Sequence, residues 1–211
     1  MSQYTLHCFA QSGNAYKVAF YLQAAGLPWT PRWVDYFKAG ETRAAAWREQ
    51  VSEMGEVPVL EHGGRRYSQS GAILTWLAEH TGHFAPEGAE ERYEALRWLL
   101  WDNHKFTSYY ATLRFLVGLQ KSGESPVTEF LRMRAQAAFA VADKHFEAKP
   151  FVLGAKPSIA DFSLAGYAFY DEETGMDWAA YPALSAWRER MRALPGWVHP
   201  YALMPGHPLP A

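Results

Sequence analysis

The chain lacks the features of a disulfide-bonded, zinc-binding or nucleic-acid-binding protein. Its 211 residues contain one cysteine, Cys8, which excludes an intramolecular disulfide and any cysteine-rich zinc site. Lysine and arginine number 20 against 22 acidic residues, so the formal net charge of -2 gives no field that would attract nucleic acid or anionic lipid. We therefore expect no bound metal and no nucleic-acid partner.

Long hydrophobic runs are missing as well, and we expect no secretory leader. The most apolar stretches, at residues 96–101 and 115–119, are far shorter than the ~20 residues of a membrane-spanning helix. The N-terminus has no basic segment leading into an apolar core and a cleavage site. These absences predict a cytoplasmic protein that does not span a membrane.

Motifs for nucleotide or serine-hydrolase chemistry are also absent. The chain has no G-x-G-x-x-G, no phosphate loop and no G-x-S-x-G elbow. His80 and His83 lie close together at a predicted helix end, but no third ligand accompanies them, so we assign no metal there.

The beginning of the chain has the pattern of a β-α-β unit. An aromatic-rich run at residues 4–9 is typical of a strand, and Ser12 supplies capping chemistry for an apolar helical stripe that stops at Gly26. A second strand is predicted at residues 29–36. Because a crossover helix joins the two strands, we expect them to pair in parallel.

The next segment has the pattern of a β-β-α unit. Residues 56–60 predict a third strand, and the paired glycines Gly63 and Gly64 predict a tight hairpin turn into a fourth. Ser68-Gln69-Ser70 is predicted to cap a helix that ends near Gly82. Residues 1–82 thus form one predicted α/β domain.

Residues 87–211 read as helix interrupted by short loops, which predicts a second, all-α domain. Ser158 and Asp161 form the sequence signature of a capping box at the start of one of these helices. The predicted segments are a long or bent helix at 87–119, helices at 126–148, 159–170 and 182–193, and an irregular proline-rich end at 200–210.

Three short segments carry the features of a binding site. Ser12-Gly13-Asn14 lies at a strand-to-helix turn, Glu56-Val57-Pro58 opens a strand, and Gln69-Ser70 opens a helix. In this order and spacing they resemble the thioredoxin-like N-terminal domain of the cytosolic glutathione S-transferase family. Residues 157–161 and 181–187 are similar to that family's all-helical second domain, so the resemblance covers nearly the whole chain.

The resemblance implies glutathione as co-substrate and the three segments as its site. Val57, held extended before Pro58, can present its N–H and C=O to a peptide ligand that adds as an extra strand. The helix start at Gln69 and Ser70 has unpaired N–H groups and a positive dipole end, which suits the ligand's α-carboxylate. The expected glutathione-binding residues are Glu56, Val57, Pro58, Gln69, Ser70 and, for the glycyl carboxylate, Lys38.

Ser12 is the expected donor to the glutathione sulfur, by similarity to serine-type members of the family. Asn14 offers an amide donor on the same turn and is a competing assignment. Cys8 occupies the strand position of the catalytic phenol in tyrosine-type members; it is either a buried apolar residue or, if exposed, a thiol for mixed-disulfide chemistry.

Aromatic residues are expected to meet the second substrate. Asp102 and His104 lie on the same predicted helix as most of these aromatic residues. In some family members an acid at this place reaches the glutathione of the partner subunit. A solvated helix face is the other explanation for Asp102 and His104. The predicted electrophile site consists of Phe9, Phe106, Tyr109, Tyr110 and Phe115.

The resulting functional hypothesis is a homodimeric, detoxifying glutathione transferase that attacks a small apolar electrophile with the glutathione thiolate. One alternative uses the same site to reduce disulfides or peroxides. A second alternative is a non-catalytic binding or assembly module, which is favoured by the segment Ser52-Glu53-Met54, where many family members carry Asn-Pro. Gly71, in place of a bulkier residue, is a further departure from the family pattern.

Overall fold

A computed structural model describes residues 4–170 and 173–209. The described residues form two compact units, one containing the chain up to His83 together with the segment from Leu194 onward, and the other containing Phe84–Ala193. In the described part of the chain, no helix combines the length and apolar character needed to cross a lipid bilayer.

The first unit is built on a four-stranded mixed sheet with the strand order β2-β1-β3-β4. β1 pairs with β2 in parallel and with β3 antiparallel, and β3 pairs with β4 antiparallel. This confirms the predicted β-α-β and β-β-α units. The strands are β1 (Tyr4–Cys8), β2 (Trp29–Trp33), β3 (Val59–His62) and β4 (Arg65–Ser68).

Three helices cover this sheet: α1 (Gly13–Ala24), α2 (Ala45–Gln50) and α3 (Ser70–Thr81). The sequence pattern did not predict α2, whose six residues are too few to show a repeating helical pattern of apolar residues. Its position depends on Trp47, which is buried against Phe9 and other core residues on one face of the sheet. Tyr4 points to the opposite face, where it and Trp76 of α3 both contact the His62 ring.

The start of α3 differs from the prediction of a serine-capped helix. Ser68 ends β4, and the N-cap is Gln69, whose side chain makes no capping hydrogen bond. Gln69 has a φ of 65°, a left-handed conformation that a side chain with a Cβ rarely adopts. At the other end, Gly82 terminates the helix as predicted, with a φ of 76°.

The C-terminal segment packs with the first unit, whereas the sequence prediction assigned it to the helical domain. The Ala10 amide donates to the Pro205 carbonyl at 2.7 Å, and the Tyr16 hydroxyl donates to the Val198 carbonyl at 2.9 Å. The predicted irregular end is also partly wrong, because Pro200–Leu203 forms a short helix. Pro210, the last residue of that prediction, lies outside the described residues.

The second unit is helical, which confirms the predicted class. The helices of this unit are α4 (Gly88–Trp101), α5 (Thr107–Arg114), α6 (Pro126–Phe146), α7 (Ile159–Leu164) and α8 (Pro182–Arg192). The predicted long helix is continuous from α4 onward, and π-helical turns at Asp102–Phe106 and Phe115–Leu119 follow α4 and α5. α7 ends six residues before the predicted Tyr170, because the bonds from Gly166 onward are those of tighter turns.

Asp161 holds together three parts of the second unit. The carboxylate is fully buried and accepts from the amides of Val152 at 2.8 Å and Ser158 at 2.9 Å, and from the Trp187 indole at 3.0 Å. The Ser158 hydroxyl donates a fourth bond at 3.0 Å. Ser158 and Asp161 form the predicted capping box, in which each side chain accepts from the other residue's backbone N–H. Burial raises the pKa of Asp161 to about 6, while these hydrogen bonds act in the opposite direction.

We expect Asp161→Asn to lower the free energy of unfolding by about 1–3 kcal/mol, because the new amide group faces the Ser158 N–H and leaves it unpaired. Urea denaturation measures the change. Glu129→Gln is the matched control, since Glu129 is exposed on α6; we expect it to change the stability by less than about 0.5 kcal/mol. Equal stability of the two variants would contradict the assigned role of Asp161.

Candidate functional site

The pairing of the strands brings four loop segments to one end of the sheet. His7 near the end of β1 lies opposite Val59 at the start of β3, and Val59 lies opposite Ser68 at the end of β4. β2 is parallel to β1, so its carboxyl end lies at the same edge. The segments around Ser12, Val57 and Gln69, which are far apart in sequence, therefore meet there, together with the loop that follows β2.

Ser12 caps α1, as predicted. Its Oγ accepts from the Ala15 amide at 3.1 Å, and the residue is 7% exposed. A hydroxyl that accepts through a lone pair keeps its O–H for donation, so Ser12 can cap the helix and donate to a ligand at once. Asn14 follows in the first turn, and its Oδ1 is buried without a hydrogen-bond partner among the described residues.

Val57 presents an unpaired peptide edge. Neither its N–H nor its C=O has a hydrogen-bond partner in residues 4–170 and 173–209, because ladder pairing begins only at Val59. The peptide bond to Pro58 is cis, and Pro58 itself is buried. Buried or partly buried peptide groups are nearly always paired, so this half-buried edge is suited to an extended ligand.

The first turn of α3 presents donors at the same end of the sheet. The amides of Ser70, Gly71 and Ala72 have no acceptor within the described part of the chain. The Ser70 hydroxyl also lacks a partner among those residues, although the residue is only 6% exposed. Together with the positive end of the helix dipole, these groups are suited to accept a carboxylate.

Glu56 and Gln69 form a pair that sequence reasoning did not foresee. The Gln69 amide donates to Glu56 Oε2 at 2.8 Å and to Met54 Sδ at 3.0 Å. Glu56 and Gln69 flank the β3–β4 hairpin, and the pairing of Val59 with Ser68 brings their segments together. The predicted hairpin therefore indicated that the segments meet, whereas the hydrogen bond between these two side chains, 13 residues apart, was not predicted.

A small aromatic pocket lies beside the loops that follow β1 and β2. It has a volume of about 120 Å³ and is lined by Phe9, Tyr36, Phe37 and Lys38, among others. Phe9 stacks on Tyr36 with ring centroids 5.0 Å apart. Lys38 is exposed, and its backbone N–H donates to Asp35 Oδ1 at 2.9 Å. Phe9 and Lys38, two of the predicted site residues, therefore lie at one pocket.

Cys8 does not belong to the reactive groups of the site. Its side chain has no exposed surface, and burial raises the pKa of the thiol to about 12. The thiolate is the reactive form of cysteine, so a thiol with this pKa is inert near neutral pH. Of the two alternatives for Cys8, the structure therefore supports the buried apolar residue.

The remaining predicted aromatic residues lie in the second unit. Phe106 and Tyr110 are core residues that pack against Phe139 and expose almost no surface. Tyr109 and Phe115 are half-buried. The electrophile site that combines them with Phe9 stays a prediction.

The explanation of Asp102 as part of a solvated helix face is wrong. Asp102 is fully buried and accepts from the Thr107 hydroxyl at 2.7 Å and the Ser163 hydroxyl at 2.5 Å. Both bonds are made inside the second unit, so the carboxylate is occupied by the core. His104, two residues on, is exposed as that explanation expected.

Models of two protein domains match most of the chain. The glutathione S-transferase N-terminal domain matches residues 6–86, and the glutathione S-transferase C-terminal domain matches residues 108–195. The described residues contain no group of three or more side chains that could hold a metal ion.

Individual relatives cover almost the whole chain. The disulfide-bond oxidoreductase YfcG of Escherichia coli (strain K12) is 30% identical over 89% of this chain and 89% of its own. The structure of a glutathione S-transferase from Pseudomonas fluorescens is 31% identical, covers 93% of this chain and 98% of its own, and has a TM-score of 0.86. A theta-class enzyme from Xanthomonas axonopodis pv. citri, determined with glutathione bound, shares the fold at 23% identity and a TM-score of 0.84, over 93% and 95% of the two chains.

We expect Cys8 to be unreactive toward a disulfide reagent in the native protein at neutral pH, because the thiol is buried and protonated. After unfolding in guanidinium chloride, the same reagent is expected to label one thiol per chain, since Cys8 is the only cysteine. The absorbance of the thiol that the reagent releases measures both reactions. Labelling of the native protein at the rate of the unfolded chain would contradict the burial of Cys8.

Proposed function

Because the chain belongs to the glutathione S-transferase family, we propose that it binds glutathione at the sheet end and activates its thiol for attack on a small apolar electrophile. The observation that carries the proposal is the meeting of the unpaired Val57 peptide groups, the unpaired amides of α3 and the Ser12 hydroxyl at one edge. A cytoplasmic location is part of the proposal.

Each part of glutathione has a matching group in the proposed complex. The cysteinyl peptide groups pair with the N–H and C=O of Val57 as a short extra strand. The α-carboxylate of the γ-glutamyl residue accepts from the first-turn amides of α3 and from the Ser70 hydroxyl. The glycyl carboxylate pairs with Lys38, whose long side chain is exposed beside the pocket.

Ser12 acts on the sulfur in this proposal. A thiol with a pKa of about 8.5 is only about 3% ionised at pH 7, and lowering its pKa to about 6.5 takes roughly 2.7 kcal/mol of preferential thiolate stabilisation. A hydrogen bond from the Ser12 O–H and the N-terminal dipole of α1 are together of that order. Asn14, with its amide on the same turn, is the second candidate donor.

The proposed reaction is a nucleophilic displacement or addition. The thiolate sulfur forms a bond to an electrophilic carbon, and in a displacement the leaving group departs with the bonding electron pair. The Phe9 pocket of the first unit is a proposed binding place for the electrophile. Tyr109 and Phe115, which are half-buried, stay candidate residues for electrophile binding.

Glutathione-dependent disulfide reduction is the second candidate function, and the similarity to YfcG favours it. The bound thiolate attacks one sulfur of a disulfide, and the other sulfur leaves as a thiol after taking up a proton. The thiolate of a second glutathione then attacks the glutathione sulfur of the mixed disulfide; oxidised glutathione forms, and the remaining substrate sulfur leaves and takes up a proton to become the second thiol. Because Cys8 is buried, all the sulfur atoms in this reaction come from the substrates.

The proposed assembly is a homodimer. Tyr93, Leu96 and Leu100 of α4 lie on one helical face and are each more than half exposed. An exposed apolar stripe of this kind is a common feature of subunit contacts. Dimer formation is the proposed reason for this stripe.

We expect calorimetric titration of glutathione into the wild-type protein at pH 7 to show saturable binding at one site per chain. Ser70→Ala is expected to weaken the affinity about tenfold, because it removes a hydrogen bond to the α-carboxylate. Ser108→Ala, an exposed serine of α5, is the matched control and is expected to change the affinity less than about twofold. No detectable heat at millimolar ligand and several temperatures would refute the proposed function.

We expect Ser12→Ala to raise the pKa of the bound glutathione thiol by about one to two units, because the thiolate loses a donor. The rise in kcat/KM with pH then moves to higher pH, and Ser12→Thr restores the original profile. An assay with an aryl halide measures conjugation, and an assay with a small organic disulfide measures reduction. An unchanged pH profile in Ser12→Ala would assign the sulfur to another donor, and binding without either activity would favour the non-catalytic module.

A further inference from the structure

A buried histidine lies under the chain segment that contains α2 (residues 41–52, the α2 segment). His7 is 6% exposed, and its ring meets the Trp47 ring edge to face with the centroids 5.6 Å apart. Its Nε2 lies 3.1 Å from Glu61 Oε1, whereas Nδ1 has no hydrogen-bond partner among the described residues. A neutral imidazole has one N–H to place beside Glu61, but an imidazolium has two. Protonation of His7 would therefore bury an N–H group without an acceptor.

Two arginines and two acids surround His7. Arg32 is its register partner on β2, and Glu41 lies in the turn before α2. Glu61 on β3 and Arg66 on β4 lie on its other side. Arg32 pairs with Glu41, and Arg66 Nε donates at 2.7 Å to Glu61 Oε1, the same oxygen that faces His7. Each acid is already paired with an arginine, so a positive charge on His7 would have no acid of its own.

The same charges attach the α2 segment to the sheet at both of its ends. At the first end, Glu41 pairs with Arg32 of β2. At the other end, Arg66 of β4 donates to the carbonyl of Gln50, the last residue of α2. β1, which carries His7, lies between β2 and β4 in the sheet. A charge on His7 therefore acts on both attachments.

The α2 segment also buries polar groups that make no hydrogen bond. Thr42 Oγ1, Trp47 Nε1 and Ser52 Oγ have no partner within residues 4–170 and 173–209, and each residue is at most 7% exposed. These groups regain hydrogen bonds to water when the segment leaves the sheet, which lowers the cost of opening. We therefore expect the segment to open locally while the sheet stays intact.

The α2 segment is connected to the residues of the proposed glutathione site. Trp47 belongs to a core cluster against which Val57 packs. Glu41 accepts from the Asp35 amide at 3.1 Å and so holds the loop that carries Lys38. Opening of the segment would remove both supports.

We propose that His7 is a pH sensor: its protonation releases the α2 segment from the sheet and thereby opens one side of the proposed glutathione site. The link to that site rests on the proposed function, whereas the release itself does not.

The direction of the pH dependence follows from where His7 binds a proton more tightly. In the closed form, burial lowers the pKa of His7, and Glu61 acts in the opposite direction. In the open form His7 meets water and has an ordinary pKa of about 6.5. The closed form is therefore favoured above this pH, and falling pH favours the open form.

Hydrogen exchange of the full chain tests the release. Protection factors are taken relative to the unfolded chain at the same pH, so that the chemical exchange rate cancels. We expect the protection of the α2 amides at residues 48–52 to fall about tenfold from pH 7.5 to pH 5.5, because the open form binds a proton that the closed form excludes. Amides of α3 are expected to change less than about twofold. Constant protection of α2 in the wild type would overturn the proposal.

His7→Gln removes the titrating group and is expected to abolish the fall in α2 protection. His104→Gln is the matched control, since His104 is exposed in the second unit, and is expected to keep the fall. An equal fall in His7→Gln and the wild type would overturn the proposal. Nuclear magnetic resonance of the wild-type His7 ring gives a test that needs no variant: we expect it to titrate below the exposed histidines, and titration at or above their pKa would contradict the sensor.

The link to the site is tested with S-methylglutathione, whose blocked sulfur removes the ionisation of the thiol from the comparison. Saturating ligand is expected to raise α2 protection at least tenfold at both pH values, because the bound form requires the closed segment. Ligand that binds without changing α2 protection would overturn the link. A wild-type protein that binds no S-methylglutathione would refute the proposed function and the link with it, whereas the release is decided by the wild-type pH series and the His7 variant.

Discussion

The candidate site depends on the antiparallel pairing of β1 with β3. The register that places His7 opposite Val59 brings the chain after β1 next to the chain before β3, and β4 then delivers Gln69 to the same edge. A shift of one residue would turn every side chain of β3 to the other face of the sheet. Leu60, which pairs with Leu6 and is fully buried with it, therefore fixes the register through the core.

The hydrogen bonds that the first unit does not make are as informative as those it makes. The Ser12 side chain accepts a hydrogen bond from an amide of α1. The first turn of α3 has no such side-chain cap, and Gln69 adopts a left-handed conformation there. Unpaired amides and backbone strain are costly unless another group compensates them. An anionic peptide ligand is such a group, so the departures from ideal helix capping coincide with the proposed binding surface.

The second unit uses its buried polar groups differently. Asp161 and Asp102 are both fully buried, and each is surrounded by donors from its own unit. A buried carboxylate is stable only with such donors, because burial alone disfavours its charge. These two acids connect loops and helices of the core, and the chemistry of the proposed reaction is left to the first unit and its ligand.

The sequence by itself determined the class of fold, the order of the strands and of the longer helices, and three segments of the proposed site, because turn glycines, capping residues and hydrophobic periods are local signals. Ser12 as a cap, the Gly63-Gly64 hairpin and the Ser158–Asp161 capping box are examples. Only the tertiary structure decided that α2 forms over Trp47, that Cys8 and Asp102 are buried, and that Glu56 meets Gln69. Each of these depends on contacts between residues distant in the chain, which local propensity does not encode.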